Sequence, residues 1–304
     1  MRTTGVESSR VSVRDLTREF GSGRGIRGVS FDCAPGRVTG LIGPNGSGKS
    51  TTIRCMTGLI RSSGSVTFGG LGYADAVRVG GGIGVQLDAA GAHPKRTGRA
   101  HLRALAAGRG VHRDGVDDAL VAVGLDAAAN RRVGSYSLGM RQRLGLAAAL
   151  LRRSSAYLLD EPTNGLDPHG IRWLRERLAA EAAAGAAVFI SSHALGDLEQ
   201  VVDDLVILGS GAVRFSGTLG EVVARFGDSR VRARFDHSAD RVAHEVALQG
   251  GMAEPAGEGA LVIHGVSAAE VGRVAFRVGA PVLELTQTAG DLHEAYLVAC
   301  AEAS

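Results

Sequence analysis

One short segment limits this chain more than any other part of it: Gly43-Pro44-Asn45-Gly46-Ser47-Gly48-Lys49-Ser50. It follows an apolar run, Arg37–Ile42, that reads as a strand, and it opens a stretch that reads as a helix. Strand, glycine-rich loop and helix in this order, with Lys and Ser at the end, is the phosphate-binding loop pattern. Glycines let the backbone curl into a concavity of N–H donors, and the helix N-terminus adds positive potential for anions. In such a loop Lys49 reaches the β- and γ-phosphates, the Ser50 hydroxyl ligates Mg²⁺, and Thr51 continues the cradle into the helix. A plain glycine-rich turn is the competing interpretation in a chain that holds 45 glycines. Against it stands Lys49, one of only two lysines, Lys49 and Lys95, at the one position the chemistry requires.

Composition narrows what surrounds this loop. The 304 residues suffice for two domains of about 150 residues each. Apolar residues at 44% and charged residues at 21% are the balance of a soluble globular protein. A net charge of +3 with no basic stripe gives no sign of a nucleic-acid partner. Cys33, Cys55 and Cys300 lack the paired spacing of a metal or disulfide framework. No run approaches the roughly 20 apolar residues of a membrane span. Ala179 to Ile190 comes nearest and is broken by Glu181, and Met1 to Arg10 is too polar for a signal peptide. The expectation is a soluble chain whose membrane role, if any, runs through a partner.

Short apolar runs at Arg37–Ile42, Ala156–Leu159, Ala187–Ser191 and Leu205–Leu208 predict buried strands of a mostly parallel sheet. Helical spacing of Leu102, Leu105, Ala106 and Arg109, then of Val116, Leu120 and Val123, predicts a helical insertion at about 89–136. A second unit follows. Alternation at Val231, Ala233 and Phe235, runs at Ala260–Val266 and Pro281–Leu285, and the i, i+3, i+4, i+7 set Val271, Val274, Ala275, Val278 predict a small α+β domain. Leu292, Ala295, Tyr296 and Ala299 mark one face of a tail helix. The expected domains are 1–222 and 223–304.

Downstream of the loop, the strand Ala156–Leu159 ends in Asp160-Glu161. An acid at that strand end is suited to holding Mg²⁺, and a second to polarising an attacking water. The segment Tyr136-Ser137-Leu138-Gly139-Met140-Arg141-Gln142-Arg143, just before that strand, resembles the signature motif of the ATP-binding cassette (ABC) family, whose usual form is Leu-Ser-Gly-Gly-Gln. The variant here is similar to that of bacterial exporters of antibiotics. Asn164-Gly165-Leu166-Asp167 resembles the family's D-loop, His193 its switch histidine, and Phe20 its adenine-stacking aromatic. The metal-ligating glutamine of the family pattern Ile-Gly-x-x-x-Gln is replaced, since Ile83-Gly84-Val85-Gln86-Leu87-Asp88 puts Asp88 at that spacing, with Gln86 as the alternative. Asp291-Leu292-His293-Glu294-Ala295-Tyr296-Leu297 resembles the closing helix of drug-exporter ATPases.

The resemblance covers about Val11 to Gly220. It implies an α/β P-loop NTPase, an ABC nucleotide-binding domain with a helical insertion, followed by the small α+β domain. It implies ATP and Mg²⁺ as cofactors: Phe20 and Gly43 to Thr51 on ATP; Ser50, Asp160 and Asp88 or Gln86 on the metal; Glu161, His193 and Lys49 in hydrolysis. Ser137, Leu138, Gly139, Met140 and Asp167 would face the ATP of an opposite subunit, which implies a head-to-tail homodimer. The implied role is the ATP-hydrolysing subunit that energises efflux of a drug or other small hydrophobic molecule through a separate membrane permease. That permease would dock near Asp88 and the helical insertion. The implied location is the cytoplasm, at the inner face of the membrane, with membrane contact only through the permease and no nucleic acid partner. A non-transport ABC ATPase acting on ribosomes or DNA is the alternative, although such relatives usually carry two cassettes or a long coiled coil. An importer ATPase is a further one.

Overall fold

The computed structural model describes residues 9–21, 23–79, 82–87, 91–108, 113–193, 196, 199–227, 230–288 and 292–301. The chain forms two compact units, one running to Thr218 and the other starting at Leu219.

The first unit begins with a hairpin, β1 (Val11–Phe20) and β2 (Arg24–Cys33). Val11 and Val13 are buried on either side of a less buried Ser12, the alternation of a half-buried strand, and an irregularity in the pairing after Val13 brings Leu16 inward. β3 (Val38–Ile42) is buried along its whole length, as a central parallel strand must be. It leads into α1 (Lys49–Met56), and β4 (Ser63–Phe68) returns to pair with β1. After α2 (Tyr73–Arg78) and β5 (Ile83–Gln86) comes the helical insertion, α3 (Gly98–Ala107) and α4 (Arg113–Ala122), followed by α5 (Leu138–Ala149). Thr97 caps α3 by accepting the Ala100 N–H. Leu102, Val116, Leu120 and Leu144 bring these three helices into one core, which is what the helical spacing predicts.

β6 (Ala156–Leu159), α6 (Pro168–Ala183), β7 (Ala187–Ser192), β8 (Asp204–Gly209) and β9 (Ala212–Thr218) complete the unit. The main sheet has six strands in the order β5-β6-β7-β3-β8-β9, parallel except for β9. All four runs read as parallel strands lie in it. The separate antiparallel sheet β2-β1-β4 is not anticipated by the sequence reading, because its strands are half exposed and lack long apolar runs. Phe31 of β2 stacks on Phe189 of β7, ring centroids 5.0 Å apart and 10° from parallel, within a core shared by both sheets.

A buried polar cluster fixes the start of β6 against α6. The Tyr157 hydroxyl donates to Glu181 Oε2 at 2.8 Å, and Arg177 holds the other oxygen at 2.6 Å. Burial, with the Glu181 carboxylate alongside, pushes the Tyr157 phenol well above its ordinary range. Tyr157→Phe deprives a buried carboxylate of a donor and is expected to cost about 1–3 kcal/mol, read from the urea midpoint at unchanged m. An unaltered midpoint would mean that Arg177 alone suffices for Glu181.

The second unit consists of α7 (Leu219–Phe226), β10 (Arg230–Phe235), α8 (Ala239–Leu248), β11 (Met252–Pro255), β12 (Ala260–His264), α9 (Ala268–Val278), β13 (Val282–Thr288) and α10 (Leu292–Ala301). Its sheet is antiparallel in the order β11-β12-β10-β13, a βαββαβ arrangement of the ferredoxin-like kind. Val231, Ala233 and Phe235 face α8 and α9, whose Val242, Val246, Val271 and Val274 close the core. Ser267 and Glu270 form a capping box at the start of α9. Leu292, Ala295, Tyr296 and Ala299 are the buried face of α10, as their spacing predicts. Among the described residues no helix is long and apolar enough to cross a membrane.

Candidate nucleotide-binding site

β3 delivers the chain to Gly43, and the loop closes at Gly48, whose φ of 105° caps α1 in a conformation that side chains disfavour. A Cβ on Gly48 would also lie 2.5 Å from Ile26 Cγ2, so glycine is needed there for both conformation and space. Lys49 is only 6% exposed, and its ammonium donates to the Gly43 carbonyl at 2.7 Å and the Pro44 carbonyl at 3.3 Å. The Ser47 hydroxyl is buried in the loop without a partner among the described residues.

The acids arrive from the neighbouring strand. Asp160 and Glu161 follow β6, and Ser191 near the end of β7 bridges them. Its hydroxyl donates to Asp160 Oδ1 at 2.6 Å and accepts the Glu161 N–H at 2.9 Å. Glu161 adopts φ 47°, the left-handed region that a residue with a side chain occupies at a cost. Gln142 of α5 donates to its carbonyl at 2.9 Å and helps hold that turn. The Glu161 carboxylate then lies 3.5 Å from Lys49 Nζ on one oxygen and 2.7 Å from His193 Nδ1 on the other. Residues separated by more than a hundred positions thus meet in one group of cation, carboxylate and imidazole.

This group opens on a cavity of about 540 Å³ lined by Asn45, Gly46, Gly48, Lys49, Ser50 and Thr51 of the loop, with Phe20, Arg24, Gly25, Glu161, Asn164 and His193. Phe20, 38% exposed, is the one aromatic of the lining, with the Arg18 guanidinium 4.9 Å from its ring centroid. All of these residues except Arg24 and Gly25 belong to the segments that the motifs mark as loop, D-loop, acid, switch or stacking residue. Arg24 pairs with Phe20 across the hairpin, a relation that no short-range pattern marks.

The remaining candidates lie elsewhere. Ser137 caps α5 by accepting the Met140 N–H at 3.2 Å, Leu138 is exposed, and Met140 packs towards the helical core. A Cβ on Gly139 would lie 2.2 Å from the Gly165 carbonyl oxygen, so glycine lets the signature segment abut the Asn164–Asp167 turn. Asp167 caps α6, and the Gly170 N–H, with Arg143 beside it, holds its carboxyl below the usual range. None of Ser137, Leu138, Gly139, Met140 and Asp167 lines the cavity of their own chain. Asp88 lies outside the described residues. Gln86, the alternative metal ligand, is not brought to the site: its amide is buried without a partner and lines a different cavity, of about 290 Å³, with Leu87, His101 and Leu105. The side chain lies under α5, 3.3 Å from where a Cβ on Gly145 would stand. Burial, with Arg96 nearby, keeps His101 below the ordinary histidine value.

Comparison with known proteins agrees with this geometry. Residues 26–164 match the ABC transporter family. The bacitracin transport ATP-binding protein BcrA of Bacillus licheniformis is 38% identical over 208 residues, 67% of this chain and 68% of that protein. The lantibiotic transport ATP-binding protein SrtF of Streptococcus pyogenes is 33% identical, over 67% of this chain and 88% of that one. A solved structure of the ATP binding subunit of an ABC transporter superposes with a TM-score of 0.65 at 30% identity, covering 71% of this chain and 92% of its own. The matched span takes in the phosphate loop, the helical insertion and the acidic strand end, and the chain belongs to this family as an ATP-binding subunit of an ABC transporter.

Proposed function

We propose that this subunit hydrolyses ATP in an Mg²⁺-dependent reaction, as half of a head-to-tail homodimer that energises export through a separate membrane permease. The observation that carries hydrolysis is the Glu161 carboxylate, held between Lys49 and His193 on the wall of the phosphate-loop cavity. In this reading Glu161 accepts the proton of the attacking water and His193 keeps the carboxylate oriented. Lys49 and the loop N–H groups stabilise charge developing on the phosphates, a preorganised electrostatic role.

The residues fit Mg²⁺. Asp160 is nearly buried, immediately precedes Glu161 of the cavity wall, and is engaged by Ser191 through only one of its oxygens, which leaves the other as a hard oxygen donor. Ser50 and Asp160 would hold the ion, with Asp88 as the third candidate. When bound, Mg²⁺ supplies neutralising charge at the β- and γ-phosphates.

Support for the dimer comes from Ser137 and Gly139, which do not line their own chain's cavity; the Ser137 hydroxyl accepts the Met140 N–H and keeps its proton to donate to a second copy's ligand. The relatives named for bacitracin and lantibiotic transport, together with this chain's own Tyr136-Ser137-Leu138-Gly139-Met140 segment, support export of a peptide antibiotic, drug or similar hydrophobic molecule. The permease would dock near Asp88 and the helical insertion and would hold the subunit at the cytoplasmic face of the membrane; the apolar lining that Leu87 and Leu105 of α3 give the second cavity supports a contact on the insertion. The second unit, 223–304 in the domain division expected from sequence, acts as an accessory domain.

The test is Mg²⁺-dependent ATPase activity of the purified chain and its permease across a range of protein concentrations, with Lys49→Ala beside it. Turnover steeper than linear in concentration is expected. ATP affinity of Lys49→Ala is expected to fall at least about tenfold, as befits loss of a buried charge-assisted contact. Turnover linear in concentration would overturn the composite site, and unaltered affinity would overturn the phosphate role of Lys49.

A further inference from the structure

Four arginines lie in the β1–β2 hairpin, and three of them have partners. Arg14 pairs with Asp32 at 2.8 Å, the Arg18 guanidinium covers the Phe20 ring, and Arg27 bonds to Glu19. Arg24 is exposed, has no partner among the described residues, and lines the nucleotide cavity. The one carboxylate of that cavity, Glu161, is already engaged by Lys49 and His193, so it does not account for Arg24.

Position gives this guanidinium a specific target. Arg24 is the cross-strand partner of Phe20. Its neighbour Gly25 puts a carbonyl oxygen 3.4 Å from where a Cβ on Gly48 would stand, and Gly48 caps α1. Arg24 therefore stands beside the aromatic of the cavity on one side and, through Gly25, beside the start of α1 on the other. The nucleotide group that falls between a base at Phe20 and a β-phosphate at Lys49 is the ribose with its α-phosphate. Guanidinium is suited to that group, because its planar fork meets phosphate oxygens through two parallel hydrogen bonds.

We infer that Arg24 is a second cationic phosphate contact of this site, directed at the α-phosphate and serving ATP and ADP alike. The inference rests on the nucleotide-binding reading of the cavity. It assigns to the hairpin a share of nucleotide recognition beyond base stacking.

Calorimetric titration of the full chain with ATP and ADP, and competition with adenosine, tests it on the parent, Arg24→Gln and Arg24→Lys. Arg24→Gln is expected to weaken ATP and ADP by the same factor, about tenfold, the size of one charge-assisted hydrogen bond, and to leave adenosine unchanged. Arg24→Lys is expected to recover part of the loss, since it restores charge without the fork. Unaltered ATP and ADP affinity in Arg24→Gln overturns the inference while leaving the nucleotide reading standing. A loss confined to ATP moves the contact to the γ-phosphate and overturns the α-phosphate assignment. An equal loss for adenosine makes Arg24 a support for Phe20 rather than a phosphate ligand. A parent chain that binds neither ATP nor ADP overturns the nucleotide reading and the inference together.

Discussion

Glu161→Gln is expected to lower kcat for ATP by about 10²–10⁴-fold, the usual contribution of a positioned general base. Nucleotide affinity is expected to stay within about twofold, since the lost interaction belongs to the transition state. Geometry makes this a clean substitution. The amide keeps the shape of the carboxylate, retains an oxygen for the His193 hydrogen bond, and leaves the backbone bonds to Ser191 and Gln142 untouched. What it cannot do is take a proton from water. It also removes a negative charge 3.5 Å from Lys49, which frees that ammonium for phosphate and works against any loss of affinity. Single-turnover and steady-state rates should fall together. A variant that retained most of the parent's kcat would remove Glu161 from the role of base, whatever its distance from Lys49.

Phe189→Ala is expected to destabilise the first unit by about 3–5 kcal/mol, the range for deleting a fully buried aromatic ring. Phe189 is 0% exposed on β7 and stacks on Phe31 of β2, so it is a principal tie between the six-stranded sheet and the hairpin sheet. Part of the loss is the ring pair itself, about 0.5–1.5 kcal/mol beyond area burial. The rest is the cavity left in a core that includes Leu41, Ile53 and Leu158. The single tryptophan, Trp173, lies in the first unit, so its fluorescence in urea follows that unit's unfolding without the second. Activity should suffer as well, because Ser191, two residues further along β7, bridges Asp160 and Glu161. A loss below about 1 kcal/mol would mean that Phe31 and its neighbours collapse into the space, the tolerant end of large-to-small replacement.

Much of the site is legible in the residues themselves because its elements are local. A phosphate loop is one strand end, six loop residues and one helix start, so Gly43 to Ser50 can be read without knowing what lies around them. The capping of α5 by Ser137 and of α6 by Asp167 is seen only in the fold, whereas the Asp160-Glu161 pair is likewise the end of one apolar run. The same holds for the insertion, where Leu102, Val116 and Leu120 recur at helical spacing and do share a core. Lone residues fared differently. His193 had no local signature beyond the strand before it, and its function reading came from its place in the order of motifs.

Gln86 illustrates the opposite case. Spacing alone left it a rival of Asp88, and nothing in the residues nearby says which way its amide points. The direction depends on β5 lying beside β6 with α5 above it, so that the side chain meets Gly145 rather than the phosphate cavity. Arg24 is similar, an ordinary arginine until the hairpin folds back and sets it opposite Phe20 and next to Gly48. The antiparallel sheet β2-β1-β4 was also invisible, since half-exposed strands carry polar residues at every other position and blur into loop.

The sequence by itself determined the phosphate-loop unit, the acidic strand end, the parallel strands, the helical faces and the order in which they follow one another. Each of these is written in contiguous residues or in a single period. Only the tertiary structure decided that Arg24 shares a cavity with Lys49, Glu161 and His193, and that Gln86 does not. Those facts depend on which strands lie side by side and in what register, and a neighbour across a sheet leaves no mark at a fixed distance along the chain.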